Sequence, residues 1–243
     1  MINIVIPMAG LGSRFSSAGY TDPKPFIKIN KFTLIEIVLK NLSFNKNINF
    51  IIIPRKEHLE EYPELFKMLI KNHNVNIIPV DKLTNGPACT VLYANKFINN
   101  EDPLLIANSD QYVDFDLSDF IDDCFERNLD GSILTFQDNS LDPKWSYAKT
   151  NEKGLVTMVR EKEPISEYAT VGIYFFSKGN DFINSTIDMI LSDDRVNNEF
   201  YTCPVYNYLI KKNKNIGIFS IDKDQMHALG TPEDLDNYIS LKT

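Results

Sequence analysis

Short β-branched runs recur along the first half of the chain, each followed by a stretch with helical spacing. This alternation restricts the fold more than any other feature. Ile4–Ile6, Phe50–Ile53, Val75–Val80 and Leu104–Ala107 are brief and continuously apolar, as expected of strands buried on both faces. Residues 33–44 place Leu34, Ile35, Ile37, Val38, Leu39 and Leu42 at helical spacing, with Thr33 as N-cap and Glu36 at the capping-box position. Residues 56–71 predict a helix or a helix pair, with Pro63 as the break, and 88–97 a further helix. Strands alternating with helices predict an α/β fold: a mixed, mainly parallel sheet flanked by helices in a single domain. Ligands of such sheets sit beyond the carboxyl ends of the strands, which directs attention to the loops after Ile6 and Ala107.

The first of these loops carries Gly10 and Gly12, then Ser13 and Arg14. Glycine permits positive φ and close backbone approach, so successive N–H groups can face one anion. Arg14 adds a planar, permanently charged fork suited to phosphate. Lys24 follows between Pro23 and Pro25, which hold that segment extended. A glycine loop with a pinned lysine suits a polyphosphate; a plain strand-to-helix turn is the competing account. No Gly-Lys-Ser/Thr follows, so this is not a Walker A loop, and the third glycine of the dinucleotide fingerprint is missing.

The chain has 243 residues and a net charge of −8. An acidic chain is a poor general partner for nucleic acid, so an anionic ligand must meet a local basic cluster such as Arg14 and Lys24. Cys89, Cys124 and Cys203 are far apart and odd in number, which suits a reducing, cytoplasmic setting and suggests neither a zinc site nor a disulfide framework. No run approaches membrane-spanning length, and no membrane partner is expected. Self-association is left open.

Further along, Gly86 and Pro87 form either an ordinary helix start or an open turn whose backbone meets a base edge. Asn108-Ser109-Asp110 follows the fourth strand. Asp110 is either a surface-turn residue or a carboxylate placed for Mg²⁺ opposite a triphosphate. Asp114 and Asp116 read as solvated or helix-capping. Strands are expected at 131–136, 147–150, 155–159, 170–176 and 216–221, and helices at 181–191 and 205–210, with Thr231 capping a final helix. Trp145 reads as either a stacking surface for ligand or a buried structural residue.

At Ala9-Gly10-Leu11-Gly12-Ser13-Arg14 and Pro23-Lys24 the chain resembles the sugar-phosphate nucleotidyltransferases, or nucleotide-sugar pyrophosphorylases. The resemblance extends over nearly the full chain and implies a Rossmann-like fold, with residues 1–136 as the nucleotide-binding half and 137–243 as the acceptor-binding half. It implies nucleotide contacts from Ala9, Gly10, Leu11, Gly12, Ser13 and Ser109, and from a base-reading turn at Gly86, Pro87 and Ala88. Arg14, Lys24 and Lys162 take catalytic roles, and Asp110 holds Mg²⁺. Glu161-Lys162-Glu163-Pro164 matches the family's Glu-Lys-Pro segment with one residue inserted, so Glu161 is expected on acceptor hydroxyls and Lys162 on the acceptor phosphate. Tyr147, Gly172 and Glu199 complete the implied acceptor side, with Ala148 in place of the usual glycine.

One departure stands out. Leu229-Gly230-Thr231-Pro232-Glu233 resembles the family's Gly-Thr-Pro-Glu segment, but the metal-binding aspartate two residues before the glycine is Ala228 here. Asp222 or Asp224 could substitute, or Asp110 could act alone; His227 is within reach of the same region. The implied activity joins a nucleoside triphosphate to a sugar phosphate or similar small phosphorylated acceptor and releases pyrophosphate, as a step toward surface or capsule polysaccharide. A nucleotide-sugar-dependent glycosyltransferase or a non-catalytic nucleotide-binding module are the alternatives.

Overall fold

A computed structural model describes residues 1–242. The strands are β1 (Ile2–Met8), β2 (Lys28–Ile29), β3 (Phe32–Thr33), β4 (Ile48–Pro54), β5 (Val75–Ile77), β6 (Leu104–Ala107) and β7 (Gln111–Val113) in the first half. The second half adds β8 (Gly131–Gln137), β9 (Ser146–Thr150), β10 (Val156–Glu161), β11 (Tyr168–Phe176), β12 (Ile216–Ile221) and β13 (Met226–Ala228). The helices are α1 (Ser13–Ser17), α2 (Leu34–Asn41), α3 (Lys56–Glu61), α4 (Pro63–His73), α5 (Pro87–Val91), α6 (Asn95–Ile98), α7 (Leu117–Glu126), α8 (Gly179–Leu191), α9 (Val205–Lys211) and α10 (Pro232–Lys242).

Nine strands form one mixed sheet, along the path β10-β9-β11-β6-β1-β4-β5, with β8 paired to β11 and β12. β1 pairs in parallel with β4 on one side and β6 on the other, Val5 standing opposite Ile51 and Ile106. Beyond β6 the direction changes, because β11 runs antiparallel to both β6 and β8. The chain therefore leaves β1 toward β4 and β5 and returns to its other side at β6. A sheet that diverges in this way opens a crevice at the carboxyl ends of the two neighbouring strands.

Each face of the sheet carries its own core. Ile4, Ile6, Ile52 and Leu105 pack on one side against Val38, Leu39, Phe66, Phe120 and Ile121; Val5, Ile51, Ile53 and Ile106 pack on the other against Val91, Ile98, Phe182 and Leu209. The odd and even residues of β1 enter different cores, as the period of two requires. A smaller cluster joins Phe15, Ile27, Ile29 and Leu34 to Leu229, Leu235 and Tyr238, fastening the last helix beside the first loop.

Local signals match closely. Thr33 caps α2 in a full capping box with Glu36, Asp116 caps α7, and Pro63 opens α4 at N1, where its missing N–H costs nothing. The helix expected over 88–97 is three pieces instead: α5, a 3₁₀ turn at Leu92–Ala94, and α6. The third strand ends at Ile77, with Val80 keeping only a bridge to Arg55. The two short pairs, β2–β3 and β13–β7, were not expected; at two or three residues each they carry no periodicity to detect. Among the described residues no helix is long and apolar enough to cross a membrane.

Candidate active site

A cavity of about 620 Å³ opens at the divergence of β1 and β6. The loop after β1 supplies one wall. The Gly12 carbonyl accepts the N–H groups of Phe15 (3.0 Å) and Ser16 (3.4 Å). The N–H groups of Gly10 to Arg14 thus find no backbone acceptor among the described residues. Gly12 lies at φ +61°, and a Cβ on it would stand 3.3 Å from Lys24 Cβ, so both the backbone conformation and the tight approach favour glycine. Gly10 has open space where a side chain would be. Ala9, Gly10, Gly12 and Arg14 line the cavity. Leu11 and Ser13 do not: Leu11 is 62% exposed, and the turn that aims its neighbours inward rotates both side chains outward.

Lys24 begins a 3₁₀ turn whose Phe26 is buried against His58, Tyr62 and Phe66. That anchor carries the lysine into the cavity, where its ammonium pairs with the Asp110 carboxylate. Asp110 sits in the turn after β6. The turn is held at both ends: the Asn108 N–H donates to Gly172 O (3.0 Å), and the Leu229 N–H donates to Asp110 O (2.8 Å). Ser109 is also in the wall. Gly172, in a bulge of β11 at φ +88°, contributes to the cavity, but a Cβ there would lie 2.4 Å from Asn108 Nδ2. Its lack of a side chain makes room for the 108–111 turn.

Leu83, Thr84, Gly86, Pro87 and Thr90 form a side pocket. The Thr84 and Thr90 hydroxyls lie 2.6 Å apart and both donate to Gly86 O (3.2 Å each). Ala88 is buried outside the lining, and its N–H donates to Phe200 O (3.0 Å), which removes it as a direct ligand contact. Phe200 N–H in turn donates to Asn85 O (2.8 Å), so this loop is stitched to the 196–203 segment.

That segment forms the opposite wall. Val196 and Glu199 exchange both backbone hydrogen bonds around Asn197 and Asn198, each at positive φ, the geometry of a two-residue type I′ turn. Glu199 Oε2 accepts the Tyr201 hydroxyl (2.7 Å), and Tyr201 accepts from the Lys162 ammonium (2.9 Å). Lys162 itself holds φ +57°, an uncommon conformation for a side-chain-bearing residue and a frequent companion of functional sites. Glu161 ends β10 and accepts the Ser146 hydroxyl. Burial pushes its carboxyl above the usual range, Glu199 adds to that, and the Ser146 hydrogen bond and Lys162 partly oppose it.

Tyr147 is a correction. It is fully buried on the far side of β9, and its hydroxyl donates to Asp138 (2.8 Å) and to the Asp142 carbonyl (2.9 Å). Successive strand residues face opposite ways, so Ser146 meets the cavity where Tyr147 was expected. Trp145 lines the cavity, packs edge-on against Phe136 and lies under the Lys144 ammonium. His227 lies outside the lining, bonded to Asp114 (2.8 Å) between Tyr112 and Tyr238. Asp222 caps a 3₁₀ turn, and neither it nor Asp224 reaches the cavity.

Sequence reasoning missed Thr84, Thr90, Tyr201 and Thr202. Thr202 is 4% exposed, borders the cavity, and its hydroxyl has no partner. It also missed Asp234, which faces Asp110 across Gly230: Asp110 Oδ2 and Asp234 Oδ2 lie 3.1 and 3.8 Å from the point a Gly230 Cβ would occupy. Among the described residues no group of three or more His, Cys, Asp or Glu side chains forms a closed metal site.

The family model described as "Nucleotidyl transferase" matches residues 4–220. No curated protein sequence matches the chain. Among solved structures, the chain is similar to a nucleoside-diphosphate-sugar pyrophosphorylase from Vibrio cholerae, at 27% identity and a TM-score of 0.83 over 98% of this chain and 99% of that one. It also resembles the inositol-1-phosphate CTP transferase from T. maritima (14% identity, TM-score 0.77, 98% and 94% covered). A UDP-glucose pyrophosphorylase complexed with UDP-glucose matches at 18% identity and a TM-score of 0.76, with 100% and 98% covered.

Proposed function

The chain belongs to the nucleotidyl transferase family, and from that premise we propose that it joins a nucleoside triphosphate to a sugar phosphate or similar small phosphorylated acceptor, releasing pyrophosphate. One observation carries the reading: Arg14, Lys24 and Asp110 come from three separate segments to one cavity, whose far wall holds Glu161, Lys162 and Glu199. The triphosphate lies along the Gly10–Arg14 loop, with its base toward Gly86 and Pro87. The acceptor lies between β10 and the 196–203 segment. Residues 1–136 thus serve the nucleotide and 137–243 the acceptor, with residues 228–234 returning to the nucleotide side.

In the reaction, an acceptor phosphate oxygen forms a bond to the α-phosphorus while the bond from that phosphorus to the β-bridging oxygen breaks. The electron pair leaves with pyrophosphate. The nucleophile is already an anion, so no general base is needed. Arg14 and Lys24 offset charge on the triphosphate, and Lys162 aligns the acceptor phosphate. Lys24 now neutralises Asp110; when phosphate enters, the ammonium has a second anion to serve. The carboxylates of Asp110 and Asp234, with the gap at Gly230 between them, are hard oxygen donors of the kind Mg²⁺ takes. Such a cation would offset negative charge on the phosphate oxygens.

Two finer readings belong with this one. Three free cysteines suit a cytoplasmic setting, and an activated sugar or polyol phosphate suits a precursor of surface polysaccharide. The experiment is a matrix of the four common nucleoside triphosphates against phosphorylated sugars and polyols, read by pyrophosphate release. Release with one pairing supports the reading. If no pairing releases pyrophosphate although a triphosphate binds, the reading is wrong.

A further inference from the structure

We propose that Tyr201 is a positioning residue that holds the Lys162 ammonium for the acceptor phosphate, and that Glu199 acts through Tyr201 rather than on the acceptor. The inference rests on the nucleotidyl-transfer reading. A phenol has a single proton. Tyr201 gives that proton to Glu199 Oε2 (2.7 Å), so its oxygen meets Lys162 only as an acceptor (2.9 Å). Burial raises the Tyr201 hydroxyl above its usual range, the Glu199 hydrogen bond and the charges of Glu199 and Glu161 add to that, and Arg14 opposes it. The proton therefore stays on the tyrosine at neutral pH, and the direction of both bonds is fixed.

Both partners are braced from behind. Tyr201 lies between the buried Phe200 and Thr202, in backbone tied to the 85–88 loop by the two Phe200 hydrogen bonds. Lys162 directly follows β10, an edge strand of the sheet. The Asn207 side chain of α9 clamps that strand, donating to Val159 O (3.0 Å) and accepting the Val159 N–H (2.9 Å). Because α9 begins at Val205, just after the 196–203 segment, it ties strand and segment together. The lysine itself forms no ion pair among the described residues, and its ammonium lies 4.8 Å from the Tyr201 ring centroid. A free lysine tip carries about 2 kcal/mol of rotamer entropy. One fixed acceptor removes much of that freedom and leaves two N–H donors for a phosphate.

The experiment has two arms. In the first, the full chain labelled with ¹⁵N-lysine is observed by NMR without substrates, at mildly acidic pH and low temperature. A hydrogen-bonded ammonium exchanges its protons slowly, so the Lys162 signal, identified by its loss in Lys162→Ala, should be visible in the unaltered chain and vanish in Tyr201→Phe. No Lys162 signal in the unaltered chain, or the same signal in Tyr201→Phe, overturns the proposal. The second arm is steady-state pyrophosphate release. Tyr201→Phe keeps the ring and should keep the unfolding midpoint, but should lower kcat roughly ten- to a hundredfold, more than it raises the acceptor KM. The same change made in Lys162→Ala should cost nothing further, and neither should Glu199→Gln made in Tyr201→Phe. Additive losses in either double variant overturn the proposal, because Tyr201 or Glu199 would then touch the acceptor independently. If the Lys162 signal depends on Tyr201 but no pairing of triphosphate and acceptor releases pyrophosphate, the placement of Lys162 stands and the functional reading falls.

Discussion

Gly86→Ala tests whether the base-side loop positions the acceptor wall. Gly86 lies at φ +113°, and a Cβ built on it would stand 2.6 Å from both the nitrogen and the oxygen of Phe200. These are backbone atoms, so no rotamer change relieves the contact. Reaching an ordinary separation requires a shift of about 0.8 Å, taking ~3.4 Å as normal contact. The shift strains two hydrogen bonds, Phe200 N–H to Asn85 O and Ala88 N–H to Phe200 O, worth about 1 kcal/mol each. The backbone conformation adds about 1–3 kcal/mol for a residue with a side chain. A total of about 3–5 kcal/mol should lower the unfolding midpoint by roughly 6–20 °C in a chain of this size. Phe200 stands between Glu199 and Tyr201, so the same shift displaces the acceptor wall. Misplacement of about 1 Å costs on the order of 10²-fold in rate. Steady-state pyrophosphate release, with each substrate varied in turn, should show a fall in kcat of that order and a higher acceptor KM. Gly10→Ala is the contrast: with open space and ordinary φ, it should fold normally and lose only triphosphate affinity. A Gly86→Ala protein with unaltered kcat and acceptor KM would refute the argument that the two loops move as one.

Lys24→Ala and Asp110→Ala should each lower turnover by orders of magnitude with the circular dichroism spectrum unchanged; near-normal pyrophosphate release by both would remove these roles. Glu161→Gln should raise the acceptor KM about tenfold, the worth of one hydrogen bond to a charged group, while stabilising the substrate-free protein. Because burial holds the Glu161 carboxyl above its unfolded value, its cost to stability grows as pH rises from about 4.3 and is complete above the folded value. Denaturant melts at neutral pH should therefore show the variant gaining, and a loss would contradict the assignment. Asp138 has the opposite sign. Burial alone would raise its carboxyl, but hydrogen bonds from Ser140, the Asp142 N–H, Tyr147 and Lys223 outweigh that and hold it well below the usual range. Its stabilisation is present above about pH 4 and is lost as pH falls toward the folded value. Asp138→Asn should cost about 1.5–3 kcal/mol at pH 7 and flatten the acid limb of the stability curve, as urea melts from pH 7 to pH 3 would show.

The convergence of the glycine loop and Asp110 on one cavity was legible because both follow strand ends, and the alternating pattern placed those ends together; Lys24 reaches the same cavity from a 3₁₀ turn. Tyr147 failed by one residue: the motif located the segment, but strand phase alone decides which side chain faces inward, and Ser146 took the position. The helix over 88–97 was misread because its apolar residues serve a core contact that local spacing describes equally well as one helix or three short turns. Tyr201 and Asp234 were invisible for another reason. Their importance comes from neighbours far away in sequence, Lys162 for one and Asp110 for the other, and no short window contains both partners.

The cluster that joins Phe15, Ile27, Ile29 and Leu34 to Leu229, Leu235 and Tyr238 has a consequence for synthesis. A ribosome delivers the glycine loop well before the helix that braces it. Until residues 229–238 have cleared the exit tunnel, Phe15 lacks the cover of Leu229, Leu235 and Tyr238, and Asp110 lacks the backbone bond from Leu229.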